Sequence, residues 1–199
     1  MILRNQYYVL RHGHSLANQK KIIVSDIQHG QHAYGLSPVG INQVIQTLEN
    51  WPYPIPDLIF HSDFKRAAET AGIVADYFNR QAKPTTALRE RHFGEFELQD
   101  DGHYPLVWKQ DEKNLTDSFA QVEQLSAVCE REMALIHTLE QQHSQKKILL
   151  VGHGDPLQIL LTHFQQKPLS QHRDLTPLMT AEVRKLNGEL QSQAELSNA

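Results

Sequence analysis

The chain has 199 residues, 40% hydrophobic and 21% charged, long and apolar enough for a buried core, which excludes a chain disordered throughout. A net charge of -4 gives no electrostatic reason to bind nucleic acid or an anionic membrane, although a local basic pocket stays allowed. The single cysteine, Cys129, cannot close an intrachain disulfide, so nothing in the composition asks for an oxidising compartment.

The first ten residues lack the apolar core of a signal peptide, and no run approaches the length of a bilayer span. A cytoplasmic location without a membrane partner is therefore expected. Tyr7, Tyr8, Val9 and Leu10 read as a strand buried on both faces, ending at Arg11, His12 and Gly13. Ligands of open α/β sheets bind beyond the carboxyl ends of such strands. An imidazole beside a guanidinium suits attack on a phosphate, the guanidinium holding the anion while a neutral ring nitrogen carries the lone pair. Taken alone, Arg-His-Gly is equally a strand ending at two surface polar residues.

Residues 19–36 show no period and read as a long loop. Ser37 as N-cap and Pro38 at the first helical position then start a helix with an Ile41, Val44, Ile45, Leu48 stripe, stopped by Pro52, Pro54 and Pro56. Residues 57–60 form a second strand that exits at His61, Ser62 and Asp63. It leads into a helix with Ala67, Ala71, Val74 and Phe78 on one face and Arg66 and Thr70 near its start. Residues 84–88 read as a third strand, followed by Arg89, Glu90, Arg91 and His92. Residues 93–117 are polar, acidic and irregular around Leu106, Val107 and Trp108, and read as a lid-like insertion in one domain spanning 1–199.

Ser118 and Gln121 form a capping box for a long helix carrying Phe119, Val122, Leu125, Cys129, Ile136 and Leu139. Residues 148–151 make the most convincing buried strand, ending in Gly152, His153, Gly154 and Asp155 before a helix over about 156–164. Residues 180–186 with Asn187-Gly188 predict an edge strand or hairpin, and 191–199 a frayed tail. Strands alternating with helices imply an α/β sheet covered on both faces. Its strand ends bring Arg11 and His12, Ser62 and Arg66, Glu90, and His153 to one rim.

These motifs resemble the histidine phosphatase superfamily, also called phosphoglycerate mutase-like. The resemblance rests on Leu10-Arg-His-Gly with Asn18, Leu36-Ser-Pro-Val-Gly40 with Gln43, the run from His61 to Thr70 with Arg66, Leu88-Arg-Glu90-Arg-His-Phe-Gly94, and Val151-Gly-His153-Gly154. It implies a three-layer α/β/α sandwich with a mostly parallel sheet, a phosphohistidine intermediate, no metal and no cofactor. His12 would be the nucleophile, with Arg11, Arg66 and His153 clamping the phosphoryl oxygens and Glu90 protonating the leaving oxygen. Asn18 would add a hydrogen bond to the phosphate. Ser62 and Gly154 are candidate phosphate contacts and Arg91 and Asp155 candidate pocket residues, although Ser62, Asn18 and Thr70 could equally be caps or turn residues. His14, His29, His32 and His92 match no metal-ligand spacing.

The Glu90–Gly94 segment resembles that of the mutases, but the following one does not. Asp100, Asp101, Asp111 and Glu112 stand where mutases add lysine and two arginines, and Asp155 stands where they place Asn. The resemblance therefore implies a phosphatase of small phosphomonoesters, a phosphoric monoester hydrolase of the histidine acid phosphatase type. A cofactor-dependent phosphoglycerate mutase and a non-catalytic phosphate-binding protein are the alternatives. A small phosphorylated substrate is the expected partner, nucleic acid is not, and a homodimer stays open.

Overall fold

The computed structural model describes residues 3–113 and 119–186. In chain order they form β1 (Gln6–Arg11), α1 (Leu16–Lys20), α2 (Ile27–Gly30), α3 (Pro38–Glu49), β2 (Leu58–Ser62), α4 (Lys65–Phe78), β3 (Ala82–Thr85), α5 (Tyr104–Asp111), α6 (Leu125–Gln142), β4 (Lys147–Gly152), α7 (Gly154–Phe164) and β5 (Val183–Lys185). The sheet runs in the order β3-β2-β4-β1-β5, parallel except for β5, which lies antiparallel on the edge beside β1.

The central strands read as continuous apolar runs because both sheet faces are buried. Tyr7, Val9, Ile148 and Leu150 pack against Ile136 and Leu139 of α6 and Leu157 and Leu160 of α7. Their neighbours Tyr8, Leu10, Leu149 and Val151 point the other way, onto Val44 and Leu48 of α3 and Val74 of α4. Each such side chain, once buried, contributes about 1.5–3 kcal/mol to holding the helices on the sheet. The result is three layers, with α3 and α4 on one face and α6 and α7 on the other.

Register places the functional strand ends level. Arg11 pairs with Gly152, His61 pairs with Val151, and the His12 N–H donates to the Gly152 carbonyl at 3.0 Å, extending the ladder one residue past β1. The turn after β1 lies against the start of α3, where Ser37 caps by accepting from the Gly40 N–H. A Cβ on Gly13 would sit 2.6 Å from the Gly40 carbonyl oxygen, and one on Gly40 would meet the His14 carbonyl, so this approach requires both glycines.

Several expectations need correction. The third strand lies at Ala82–Thr85, and Thr86–Leu88 is a 3₁₀ turn that sends Leu88 into the core. The stretch 19–36 contains α1 and α2, too short to show a period. Of the α3 stripe, Val44 and Leu48 are buried, while Ile41 and Ile45 remain 42% and 41% exposed. Helix α6 starts at Leu125 because Ala120 and Gln121 take positive φ, so Val122 packs instead with Ile23, Phe93 and Val107 under the 93–113 excursion. That excursion is mostly helical turns around α5. Ser118 of the capping box, residues 114–117 of the insertion, the Asn187-Gly188 turn and the tail at 191–199 lie outside the described residues.

One buried group opposes the fold. Glu132 of α6 is 1% exposed, and among the described residues neither carboxylate oxygen has a hydrogen-bond partner. Burial above all raises its pKa well above the usual carboxyl range. A carboxyl with a raised folded pKa loses stability as pH rises from its unfolded value through the folded one. Glu132→Met is therefore expected to stabilise the chain by about 1–3 kcal/mol at pH 8 and by less at pH 5, read from denaturant midpoints. A net loss at pH 8 would mean that the carboxylate has a compensating contact.

Candidate active site

The ends of β1, β2 and β4 and the start of α4 meet around a cavity of about 230 Å³ lined by Arg11, His12, Arg66 and Glu90. His12 is buried, and its Nδ1 lies 2.7 Å from the Gly13 carbonyl oxygen. A carbonyl can only accept, so Nδ1 carries the ring proton and Nε2 carries the lone pair. That lone pair accepts from the Arg66 Nε–H at 3.1 Å. Burial first, then the Arg66 and Arg11 guanidiniums, hold the imidazole well below its usual pKa and hence neutral. Gly13, which supplies the carbonyl, is anchored through its N–H to Thr70 Oγ1 at 3.1 Å, and Thr70 in turn donates to the Arg66 carbonyl.

Arg66 is 3% exposed. Besides holding His12, it donates from Nη2 to the Val24 carbonyl at 2.9 Å and places the same nitrogen 3.5 Å from Glu90 Oε2. Its Nη1 and the Nε of Arg11 are buried with no hydrogen-bond partner among the described residues. Arg11 Nη1 donates to the Leu178 carbonyl, and a Cβ on Gly154 would come within 3.1 Å of the Arg11 guanidinium. Gly154 thus makes room for a cation and also lines the cavity.

His153 is fully buried with its ring centroid 5.2 Å from that of His12. Its Nε2 lies 2.9 Å from Ser62 Oγ, which also accepts from the Phe64 N–H. If Ser62 accepted from both, its own hydrogen would be buried without an acceptor, so the hydroxyl donates to Nε2 and Nδ1 carries the ring proton. Nδ1 has no hydrogen-bond partner among the described residues and faces Glu90 Oε2 at 3.7 Å. Burial, then Arg66 and His12, keep this ring neutral too. Ser62, expected at the phosphate, is engaged with His153 instead. Ser62→Ala is expected to lower kcat about 10- to 100-fold with little change in KM, because His153 could then place its proton on Nε2. Unchanged kcat would remove Ser62 from the site.

Glu90 accepts from the Arg91 N–H through Oε1. Burial raises its pKa to about 7, against the opposing charge of Arg66 and with help from Asp155. The guanidiniums of Arg89 and Arg91, its neighbours in the chain, are engaged elsewhere. Arg89 makes a two-bond pair with Asp63, at 2.8 and 2.6 Å. Arg91 donates twice to Asp111, once to Asp155 and once to the Glu123 carbonyl, so it does not reach the cavity. Asp111 is committed to Arg91 and Asp100 caps the turn at 101–103, leaving Asp101 as the acidic residue of 93–113 that lines the cavity.

Asn18 lines the cavity and also caps α1, its Oδ1 accepting from the Ser15 N–H and hydroxyl. Asp155 lines it as well and ties α5 to α7. It accepts from the Trp108 indole N–H at 3.0 Å and Arg91 at 3.2 Å, with His172 Nε2 at 3.3 Å. Burial would raise its pKa, but the adjacent His172 ring and the Arg91 charge win and hold it well below the usual carboxylate range. Tyr104, Gln158 and Arg173 are lining residues that sequence reasoning did not single out, while Trp108, read as the centre of an apolar patch in the insertion, lines the cavity as well. Tyr104 lies in a segment without a clear period, and Arg173 lies in a loop without a motif. Among the described residues no group of three or more His, Cys, Asp or Glu is placed to hold a metal ion, and no helix is long and apolar enough to cross a membrane.

A neutral imidazole, two guanidiniums and a carboxyl whose pKa burial raises to about 7 meet at one sheet rim, an arrangement able to hold an anion beside a bare ring nitrogen. The sequence profile of the histidine phosphatase superfamily (branch 1) matches residues 7–196, and the chain belongs to that family. It is 29% identical over 160 residues to the glucosyl-3-phosphoglycerate phosphatase of Mycolicibacterium vanbaalenii, covering 73% of this chain and 68% of that one. It is 30% identical over 107 residues to the uncharacterized phosphatase PhoE of Bacillus subtilis, covering 53% of this chain and 52% of that one. Among solved structures, a mycobacterial glucosyl-3-phosphoglycerate phosphatase in complex with VO3 shares the fold with a TM-score of 0.78. That pair is 23% identical and covers 90% of this chain and 91% of the other.

Proposed function

We propose that the chain is a phosphomonoesterase that hydrolyses a small phosphorylated metabolite through a covalent phosphohistidine on His12. The observation that carries this reading is the neutral His12 ring, its Nε2 lone pair directed at the Arg66 Nε–H, with Glu90 3.5 Å from Nη2 of the same guanidinium. The substrate phosphate displaces the Arg66 Nε–H from Nε2 and takes it onto a phosphoryl oxygen, together with Arg11 Nε and the His153 Nδ1–H. Nε2 then attacks phosphorus, the P–O bond to the leaving group breaks, and Glu90 gives its proton to the departing oxygen. The Glu90 carboxylate next takes a proton from water as that oxygen attacks the phosphohistidine, releasing phosphate and restoring both groups. Two guanidiniums opposite the phosphoryl oxygens stabilise the charge that develops in each step.

Similarity to curated phosphatases supports release to water over return to a sugar acid. The test is brief incubation with a labelled phosphomonoester, quenched without acid, which should trap an acid-labile phosphoenzyme, with phosphate release indifferent to chelator. Isomerisation of 3-phosphoglycerate, assayed in parallel, would instead favour the mutase. Absence of both phosphoenzyme and turnover across a panel of metabolite phosphates would favour a phosphate-binding protein.

A further inference from the structure

We propose that Arg173 reads a carboxylate on the substrate, so that the preferred substrates are phosphate monoesters of small organic acids. This rests on the phosphatase reading above. Three guanidiniums line the cavity, from Arg11, Arg66 and Arg173. The first two belong to the His12 end, where they suffice for a phosphate dianion. Arg173 comes from the loop after α7 and packs against Trp108 of the 93–113 excursion, with Asp155 as the one carboxylate within ion-pair distance among the described residues. Its guanidinium carbon lies 3.8 Å from the centroid of the Trp108 ring, a cation–π contact that fixes its position, while Trp108 is stacked on Tyr104 at 5.5 Å.

Among the described residues Arg173 donates no hydrogen bond, and its nearest acid is Asp155 Oδ1, 3.6 Å from Nη1. Asp155 already receives the Trp108 N–H and Arg91, so it does not exhaust Arg173. A planar fork of unengaged N–H groups matches a carboxylate, which can take two parallel bonds. Asp101 lines the same cavity without pairing with Arg173, and its charge weighs more against a second phosphate than against a singly charged carboxylate.

The test compares two primary alkyl phosphates that differ only in a carboxylate against a hydroxymethyl group, 3-phosphoglycerate and glycerol 3-phosphate, with propane-1,3-diyl bisphosphate as a third arm. The wild-type chain should favour 3-phosphoglycerate over glycerol 3-phosphate about 10- to 100-fold in kcat/KM, mostly through KM, the range of a charge-assisted hydrogen-bonded pair. Arg173→Gln should bring that ratio close to one, and Arg173→Lys should restore part of it. Because both substrates are measured on one preparation, partial unfolding of a variant cancels from the ratio. A ratio unchanged by Arg173→Gln, or a bisphosphate preferred to 3-phosphoglycerate, overturns the inference while leaving the phosphatase reading intact. Failure to hydrolyse p-nitrophenyl phosphate and all three esters overturns that reading and the inference with it.

Discussion

Replacing His12 with alanine is expected to reduce turnover by ~10⁴-fold or more and to abolish the trapped phosphoenzyme, since the Nε2 lone pair that attacks phosphorus is removed. His153 is the nearest alternative, but its Nε2 is held by Ser62 and its Nδ1 carries the proton. The same variant reports on the neutral state of the ring. His12 has a folded pKa well below its unfolded value, so as pH falls below about 6.5 the unfolded chain takes up a proton that the folded chain refuses. Stability is thereby lost on the acid side. His12→Ala should lose less stability between pH 7 and pH 5 than the wild-type chain, whatever the constant cost of the cavity it leaves. Residual phosphoenzyme in the variant would move the nucleophile elsewhere.

Glu90→Gln separates the proton donor from the clamp. With an alkyl phosphate the leaving oxygen needs a proton as the P–O bond breaks, and losing the donor should lower kcat by about 10²–10⁴-fold. With p-nitrophenyl phosphate the leaving phenolate departs unassisted, and the loss in the first step should be small. Glutamine keeps an oxygen for the Arg91 N–H and a similar volume, so geometry changes little. The acid form is populated at neutral pH because burial raises the Glu90 pKa to about 7. Activity toward alkyl esters should therefore fall as pH rises through that value, and this alkaline limb should vanish in the variant. Equal losses for both substrate types would deny Glu90 the role of acid.

Reading from residues worked where a local pattern carries its own physical cause. The β1 and β4 runs are apolar throughout because both faces are buried, and Ser37-Pro38 announces α3 because capping chemistry is local. It fails at 82–88, where the strand lies earlier than its pattern suggests, and at 119–124, where the helix starts later. In the first case a 3₁₀ turn buries Leu88 as effectively as a strand would. In the second, Ala120 and Gln121 in the left-handed region break a pattern that looked periodic.

The candidate site divides in the same way. Arg11, His12, Arg66 and His153 could be found because each ends or follows a strand or opens a helix, and Glu90 because it follows the 3₁₀ turn beyond β3; parallel topology carries such positions to one rim. The engagement of each side chain could not be found, because it depends on partners far away in the chain. Arg91 reads as a pocket cation until Asp111 and Asp155 are seen to hold it, and Ser62 reads as a phosphate contact until His153 lies beside it. The acidic run at 100–112 looks like a negative cover for the pocket, yet Asp111 faces Arg91 and Asp100 serves a turn.

The amino-acid order alone determined the layered α/β architecture, the family and the five residues converging on one sheet rim, because hydrophobic period, helix caps and strand-end motifs are properties of neighbours along the chain. Which ring nitrogen is bare, which carboxyl stays protonated near pH 7 and which arginine has hydrogen-bond donors left were decided only by tertiary packing. Burial and long-range charge pairing set those states, and both depend on residues that meet only when the chain is folded.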